Sequence, residues 1–351
     1  MSGLALARRF HAAAVAPLLD GIPHAAALLG AGSEVLGFDD EVSPDHDFGP
    51  RCQVFVAEGD LAAARAALDG LPAEFEGLPV RFSYHVGPET HQVEVTTAAA
   101  FFQANMAVDP AEGMSLADWL LTPTQRLASL VGGEVFADPD GSLAARRETL
   151  RWYPDDVWRY ALAAAWLRIG QEEPFVGRAG ARGDELGSAV VAARLVRDLM
   201  RLAFLVERRW APYSKWLGTA FRRLPIAARL GPRLDEVVRA GDWRTREDAL
   251  VEAGAVLAEA TNALGLAAEN TARPERFHTR DIRVIGGERF AEALAAAVTD
   301  PQLCTLMERL WRRPGRSLGR LAGTVDQAVD SVDVLASPER CRAAAAMLGL
   351  G

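Results

Sequence analysis

The chain has 351 residues and a net charge of −9, from 38 basic and 47 acidic side chains, and half of its residues are apolar. That is length enough for two domains of soluble, globular composition. It excludes a surface uniformly basic for a nucleic acid backbone, and no apolar run reaches the ~18 residues that span a bilayer.

Leu4 to Leu19 reads as an amphipathic helix rather than a signal peptide, with Leu4, Ala7, Phe10, Ala14, Leu18 and Leu19 on its apolar stripe. Ala25 to Leu29 is a short apolar run ending at glycine, the pattern of a buried strand. Gly32 to Gly37 reads as a turn opening a short helix or loop. Phe38-Asp39-Asp40-Glu41 is acidic, and Ser43-Pro44 marks the end of a loop. Asp45 begins an extended segment that resumes at Cys52-Gln53-Val54-Phe55-Val56. Leu61 to Leu68 reads as a helix, and Arg81 to His85 and Gln92 to Thr96 alternate as strands do.

Asp138-Pro139-Asp140-Gly141 is the best linker signal, and beyond it the apolar period becomes 3.6. Trp158 to Ile169, Ala189 to Arg209, Glu247 to Leu264 and Glu288 to Val298 read as helices, the first capped by Asp155 or Asp156. The expected fold class is α+β: a mixed-sheet domain over residues 1–137, then a mostly helical domain over 138–351 that closes its cleft. Cys52, Cys304 and Cys341 show no paired spacing, which fits a reducing, cytoplasmic setting without a disulfide framework or zinc site.

The segment with most chemistry is Gly30-Ala31-Gly32-Ser33, followed by Asp45-His46-Asp47. Residues i and i+2 of a strand point to one face, so Asp45 and Asp47 would project together. Hard cations such as Mg²⁺ use one or two carboxylates plus substrate phosphates. A glycine-serine turn offers backbone N–H groups to a phosphate. By itself the motif is weak, because turns are rich in these residues and the acids could form a solvated loop.

Gly32-Ser33 with Asp45-His46-Asp47 resembles the signature of the DNA polymerase β-like nucleotidyltransferase superfamily. A mixed sheet followed by a helical domain is similar to its two-domain type, such as kanamycin nucleotidyltransferase. The stretch Leu29–Arg51, with Trp152-Tyr153-Pro154-Asp155-Asp156-Val157-Trp158 and Tyr213-Ser214-Lys215-Trp216, also resembles an uncharacterised bacterial nucleotidyltransferase-like family. The resemblance implies in-line transfer of a nucleoside monophosphate, with ATP the expected donor, to a hydroxyl of a small molecule. Asp45 and Asp47 would hold two Mg²⁺ ions. Glu94, in Val93-Glu94-Val95, is the candidate third carboxylate, as a metal ligand or as the base for the acceptor hydroxyl. Gly32 and Ser33 would hold the terminal phosphates, and Lys215 with the hydroxyls of Tyr213 and Ser214 would grip the triphosphate.

Two positions depart from the family pattern: Leu36, where an arginine is common, and His46, where an aliphatic residue is usual. They leave open a second reading, a nucleotide-binding or regulatory protein of weak or no activity. A nucleotidyltransferase acting on RNA is a third, opposed by the acidic charge. That charge suits a cationic acceptor, such as an aminoglycoside-like sugar. Lys215 is the sole lysine of the chain. Arg194, Arg197 and Arg201 share one helix face, as a phosphate-facing stripe or as partners of acids such as Asp198. Gln171-Glu172-Glu173 before Pro174 could bind a cationic acceptor or end a helix. Trp152, Trp158 and Trp166 read as core. His85 and His91 flank a turn, with no role legible.

Overall fold

The computed structural model describes residues 2–40, 48–83, 88–311 and 321–350. In chain order the first elements are α1 (Gly3–Phe10), β1 (Ala25–Leu28), β2 (Arg51–Phe55), α2 (Leu61–Ala67), a short hairpin of β3 (Glu74–Phe75) and β4 (Leu78–Pro79), β5 (Arg81–Phe82) and β6 (Thr90–Thr96). Then come α3 (Ala98–Met106), α4 (Leu116–Leu121), α5 (Thr124–Val131), β7 (Glu134–Ala137) and α6 (Ser142–Thr149). The expected N-terminal helix is split: α1 passes into a π turn over His11–Val15 and a 3-10 turn over Ala16–Leu19. Pro17 has no N–H to donate, so one bond of the α ladder is missing where the helix changes its winding.

Among the described residues, five strands form a mixed sheet in the order β5-β6-β2-β1-β7. β2 and β6 run parallel, and the other pairs are antiparallel. The parallel pair needs a crossover, which includes α2. Register places Cys52 and Val54 beside Val93 and Val95, and Arg51 and Gln53 beside Gln92 and Glu94. One face is therefore apolar: Cys52, Val54, Val93 and Val95 pack with Phe10, Val15, Leu19, Ala64 and Leu68. The opposite face carries the polar side chains of β2 and β6 at every second position.

By compactness the chain divides into two units, residues 1–114 with 125–151 and residues 115–124 with 152–351. The first holds the sheet. Asp138-Pro139-Asp140-Gly141 is a turn within it: Gly141 N–H donates to Asp138 O (3.2 Å), and the Asp138 carboxylate accepts from Leu143 and Ala144 N–H. Arg146 of α6 pairs with Asp109 at 2.7 Å, and Arg147 donates to Val131 O and Gly132 O. These anchors hold α6 with the sheet.

The second unit is built on α7 (Asp155–Gly180) and α8 (Glu185–Val206), followed by α9 (Ser214–Phe221), α10 (Ala227–Arg239), α11 (Trp243–Ala263), the strand pair β8 (Glu275–Arg276) and β9 (Arg283–Val284), and α12 (Gly287–Ala296). Helices α13 (Pro301–Trp311) and α14 (Val325–Ala328) come after. Trp158 and Trp166 are fully buried in α7, their indole N–H groups donating to Leu205 O and Thr261 Oγ1. Gly170 and Gly287 let α7 and the start of α12 touch backbone to backbone: a Cβ on Gly170 would lie 2.7 Å from Glu288 N.

Ending a helix is one of the two readings of Gln171-Glu172-Glu173 before Pro174, but α7 runs through them to Gly180. Glu173 is buried, and its carboxylate accepts from Ile285, Gly286 and Gly287 N–H at 2.6, 3.0 and 2.9 Å. It supplies partners to the unsatisfied amides that open α12, so tertiary packing overrides the local breaker. Nor does Asp155 or Asp156 cap α7. The N-cap is Pro154, and Asp156 instead accepts from Thr299 and Asp300 N–H.

Candidate active site

The site expected from sequence begins where β1 ends. β1 and β2 are antiparallel, with Ala27 opposite Gln53. Past Leu28 the backbone ladder stops and side chains of β2 replace it. The Gln53 amide accepts from Leu29 N–H (3.0 Å) and donates to Leu29 O (3.2 Å). Two residues earlier on the same face, the Arg51 guanidinium donates to Ala31 O at 2.6 Å. Alternate side chains of β2 thus hold alternate residues after β1, because side chains i and i+2 of a strand share a face.

Gly30 and Gly32 are the two positions of this turn that need glycine. Their φ angles are +86° and +132°. A Cβ on Gly32 would stand 2.3 Å from Arg51 Nη2 and 2.5 Å from Glu34 Oε2. Arg51 and Glu34 form an ion pair, largely shielded from solvent, with Nε at 2.9 Å from Oε1. The side-chain space missing at Gly32, expected to admit a phosphate, is taken by this pair. Ser33 follows, half-buried, its carbonyl accepting from Leu36 and Phe38 N–H. Leu36 is half-buried in the same turn. Asp39 accepts from Gly3 N–H at 2.6 Å, which ties the acidic stretch to the start of α1.

Glu94 stands on β6 beside Gln53, exposed, while Val93 and Val95 are buried. Although the residue as a whole is exposed, the surrounding chain withdraws enough water from its carboxyl to push the pKa up, and the hydrogen bond with Gln53 pulls the other way. Gln53, held to the backbone just before the glycine-serine turn, is thus also the register partner of Glu94. On the far side of Gly30, its N–H donates to Ser129 O (3.0 Å). Asn105 Oδ1 lies 4.0 Å from where a Gly30 Cβ would be, and it accepts from Arg126 at 3.0 Å.

Asp45, His46 and Asp47 lie outside the described residues, as does His85. Among the described residues, no group of three His, Cys, Asp or Glu could hold a metal ion. Arg51, Gln53, Asn105 and Arg126 were missed from sequence. Arg51 and Gln53 had a usable signal, polar residues at i and i+2 in an otherwise apolar strand. Asn105 and Arg126 had none, since only the fold carries them to Gly30.

In the second unit, Tyr213, Ser214 and Lys215 are consecutive and exposed at the N-terminus of α9, with Tyr213 as the N-cap. The Lys215 ammonium lies 4.9 Å from the Trp216 ring centroid. The arginine stripe of α8 is met by acids: Arg194 by Glu172 (3.0 Å) and Arg197 by Asp330, while Arg201 donates to Asp326 O (2.8 Å). Asp198 is taken by Arg168 at 2.8 Å. His91 is half-buried, and burial lowers its pKa.

Residues 119–217 match the model of a family described as Domain of unknown function (DUF4037). No protein of curated function matches. Among solved structures, a nucleotidyltransferase-like protein from Exiguobacterium sibiricum 255-15 aligns over 90% of this chain and 97% of its own, at 12% identity and a TM-score of 0.35. No helix among the described residues is long and apolar enough to cross a membrane.

Proposed function

We propose that this chain is a nucleotidyltransferase that moves a nucleoside monophosphate, AMP from ATP, to a hydroxyl of a small molecule. The observation that carries this reading is the join made by Gln53. Its amide bonds both polar atoms of Leu29, and Glu94 stands beside it in the β2–β6 register, so a β6 carboxylate and the Gly30–Ser33 turn meet at one residue.

Ser33 and the turn's backbone would receive the terminal phosphates. Arg51, pinned by Glu34, fixes the turn and brings a positive group beside it. Asp45, Asp47 and Glu94 would hold the Mg²⁺ ions. The Glu94 carboxyl suits a cation, because desolvation makes its charged form costly until a positive charge arrives. Bound Mg²⁺ would supply electrostatic stabilisation of charge developing at the α-phosphorus. Without a ligand role, Glu94 is instead a base of raised pKa for the acceptor hydroxyl. Lys215, Ser214 and Tyr213 stand at the N-terminus of α9, where the helix dipole favours a phosphate. The net charge of −9 favours a cationic acceptor, such as an aminoglycoside-like sugar.

Asp45→Asn and Asp47→Asn are expected to abolish Mg²⁺-dependent pyrophosphate release with the circular dichroism spectrum unchanged. Wild-type turnover in both variants would refute the mechanism. The Arg51–Glu34 pair at Gly32 favours one further reading, nucleotide binding without transfer, because the turn already has its charges balanced. Calorimetry with ATP and Mg²⁺, run beside the pyrophosphate assay over a panel of acceptors, separates the two. Heat without pyrophosphate supports the binding protein. A salt-dependent shift with RNA would point to a nucleic acid acceptor instead.

A further inference from the structure

The helical unit contains a cavity of about 40 Å³ between α7, α8 and the start of α14. That is room for about three water-sized groups, at ~10–15 Å³ each. Phe204, Leu205 and Ala161 give it apolar walls. Its polar groups are unevenly satisfied. Arg168 is spent on Asp198 and on Gln327 O. The Asp326 carboxylate is spent on Thr124, accepting from its N–H (2.9 Å) and its hydroxyl (3.1 Å).

Three groups lining the cavity keep unused capacity. Tyr153 is 4% exposed, and its hydroxyl has no hydrogen-bond partner. Its ring is held by Trp210, Trp119 and Trp152 at centroid distances of 4.5, 5.6 and 5.6 Å, so the hydroxyl cannot swing away to find one. The Arg201 guanidinium uses one nitrogen on Asp326 O, and its Nε–H is buried without a partner. Arg209 lines the cavity, and among the described residues its guanidinium meets no acid. A buried hydroxyl or guanidinium N–H without a partner is costly, and native chains rarely leave one without a reason.

The cavity's charges are the guanidinium groups of Arg168, Arg201 and Arg209 against the carboxylates of Asp198 and Asp326. What remains after internal pairing is donor-rich and positive. We propose that this cavity is a binding site for the oxyanion group, carboxylate or phosphate, of a small molecule, held by Arg201 Nε–H, Arg209 and the Tyr153 hydroxyl. The apolar walls accommodate the uncharged atoms next to that group. The residues from Thr124 to Ala211 that line it fall within the segment matched by the family model, and α9 with Lys215 contributes none of them. The site is therefore separate from the residues proposed to grip a triphosphate.

Calorimetric titration of the full chain with sodium phosphate and, separately, sodium acetate tests this, with sodium chloride at matched ionic strength as the control. One oxyanion is expected to bind one to one where chloride does not. Tighter phosphate binding assigns a phosphate group, and tighter acetate binding a carboxylate. Arg209→Gln, at an exposed position, and Tyr153→Phe should each weaken that binding about tenfold or more. Tyr153→Phe should leave the melting temperature equal or higher, because it deletes an unpaired buried hydroxyl. No binding of either oxyanion, or equal affinity in wild type and both variants, overturns the proposal. Lys215→Ala should bind the oxyanion as wild type does, whatever becomes of nucleotide transfer.

Discussion

In the sheet unit, His11 is 7% exposed, its ring 5.8 Å from those of His24 and Phe136. Burial first, and the nearby His24 second, lower its pKa from 6.5 to about 4. In the helical unit, Glu173 is 6% exposed. Burial raises its pKa from 4.5 to about 7, against the pull of three backbone N–H groups and Arg289. Desolvation disfavours the charged form in both cases, so a base moves down and an acid moves up. Below pH 6.5 the unfolded chain binds more protons at His11 than the folded chain, and the sheet unit loses stability as pH falls toward 4. Between pH 4.5 and 7 the folded chain binds more protons at Glu173, and the helical unit loses stability as pH rises. One cause thus gives two regions of one chain opposite responses over nearly the same window.

The largest effect should come from Glu173→Gln. Wild type is expected to lose about 3 kcal/mol of local stability in the helical unit between pH 4.5 and 7. The variant should show no such slope. Hydrogen exchange at the Ile285, Gly286 and Gly287 amides, which Glu173 holds, is the readout. A slope unchanged in the variant would break the comparison.

Gly32→Ala is next. A φ of +132° and a Cβ 2.3 Å from Arg51 Nη2 should cost the sheet unit about 1–3 kcal/mol, visible as a lower urea midpoint. The loss should be the same at pH 5 and pH 8, which separates a steric cost from a titration. Then comes His11→Phe, expected to flatten the acid limb of the sheet unit by about 1–3 kcal/mol. Exchange in β6 between pH 4 and 7 reports it. Lys215→Ala should be smallest for stability, within about 0.5 kcal/mol, because an exposed cation over a ring contributes little. A measurable drop in ATP affinity in that variant would sharpen the proposed role of α9.

Much of the fold was legible because its signals are local. Val93 and Val95 alternate with Glu94, and that period places the carboxylate on the face opposite the core. The long helices α7, α8 and α11 carry enough apolar repeats to be read without neighbours. Local rules yield where a distant partner intervenes. Pro174 does not end α7, because the helix on both sides is packed and Glu173 has the start of α12 to hold. Asp138-Pro139-Asp140-Gly141 is a turn, as its residues dictate, but Arg146 and Arg147 keep the next helix on the sheet.

For the site, the glycine-serine turn and Glu94 could be named from sequence, because φ above zero calls for glycine and strand alternation orients a side chain. That Arg51 and Glu34 fill the space at Gly32 could not be, since their meeting depends on how the chain after β1 folds back over β2. The same holds for the cavity at Tyr153 and Arg201. Periodicity made the tryptophans core and the arginines a stripe, and both readings describe one helix at a time. Which hydroxyl and which N–H remain without a partner is a property of three elements packed together, and only the tertiary structure decides it.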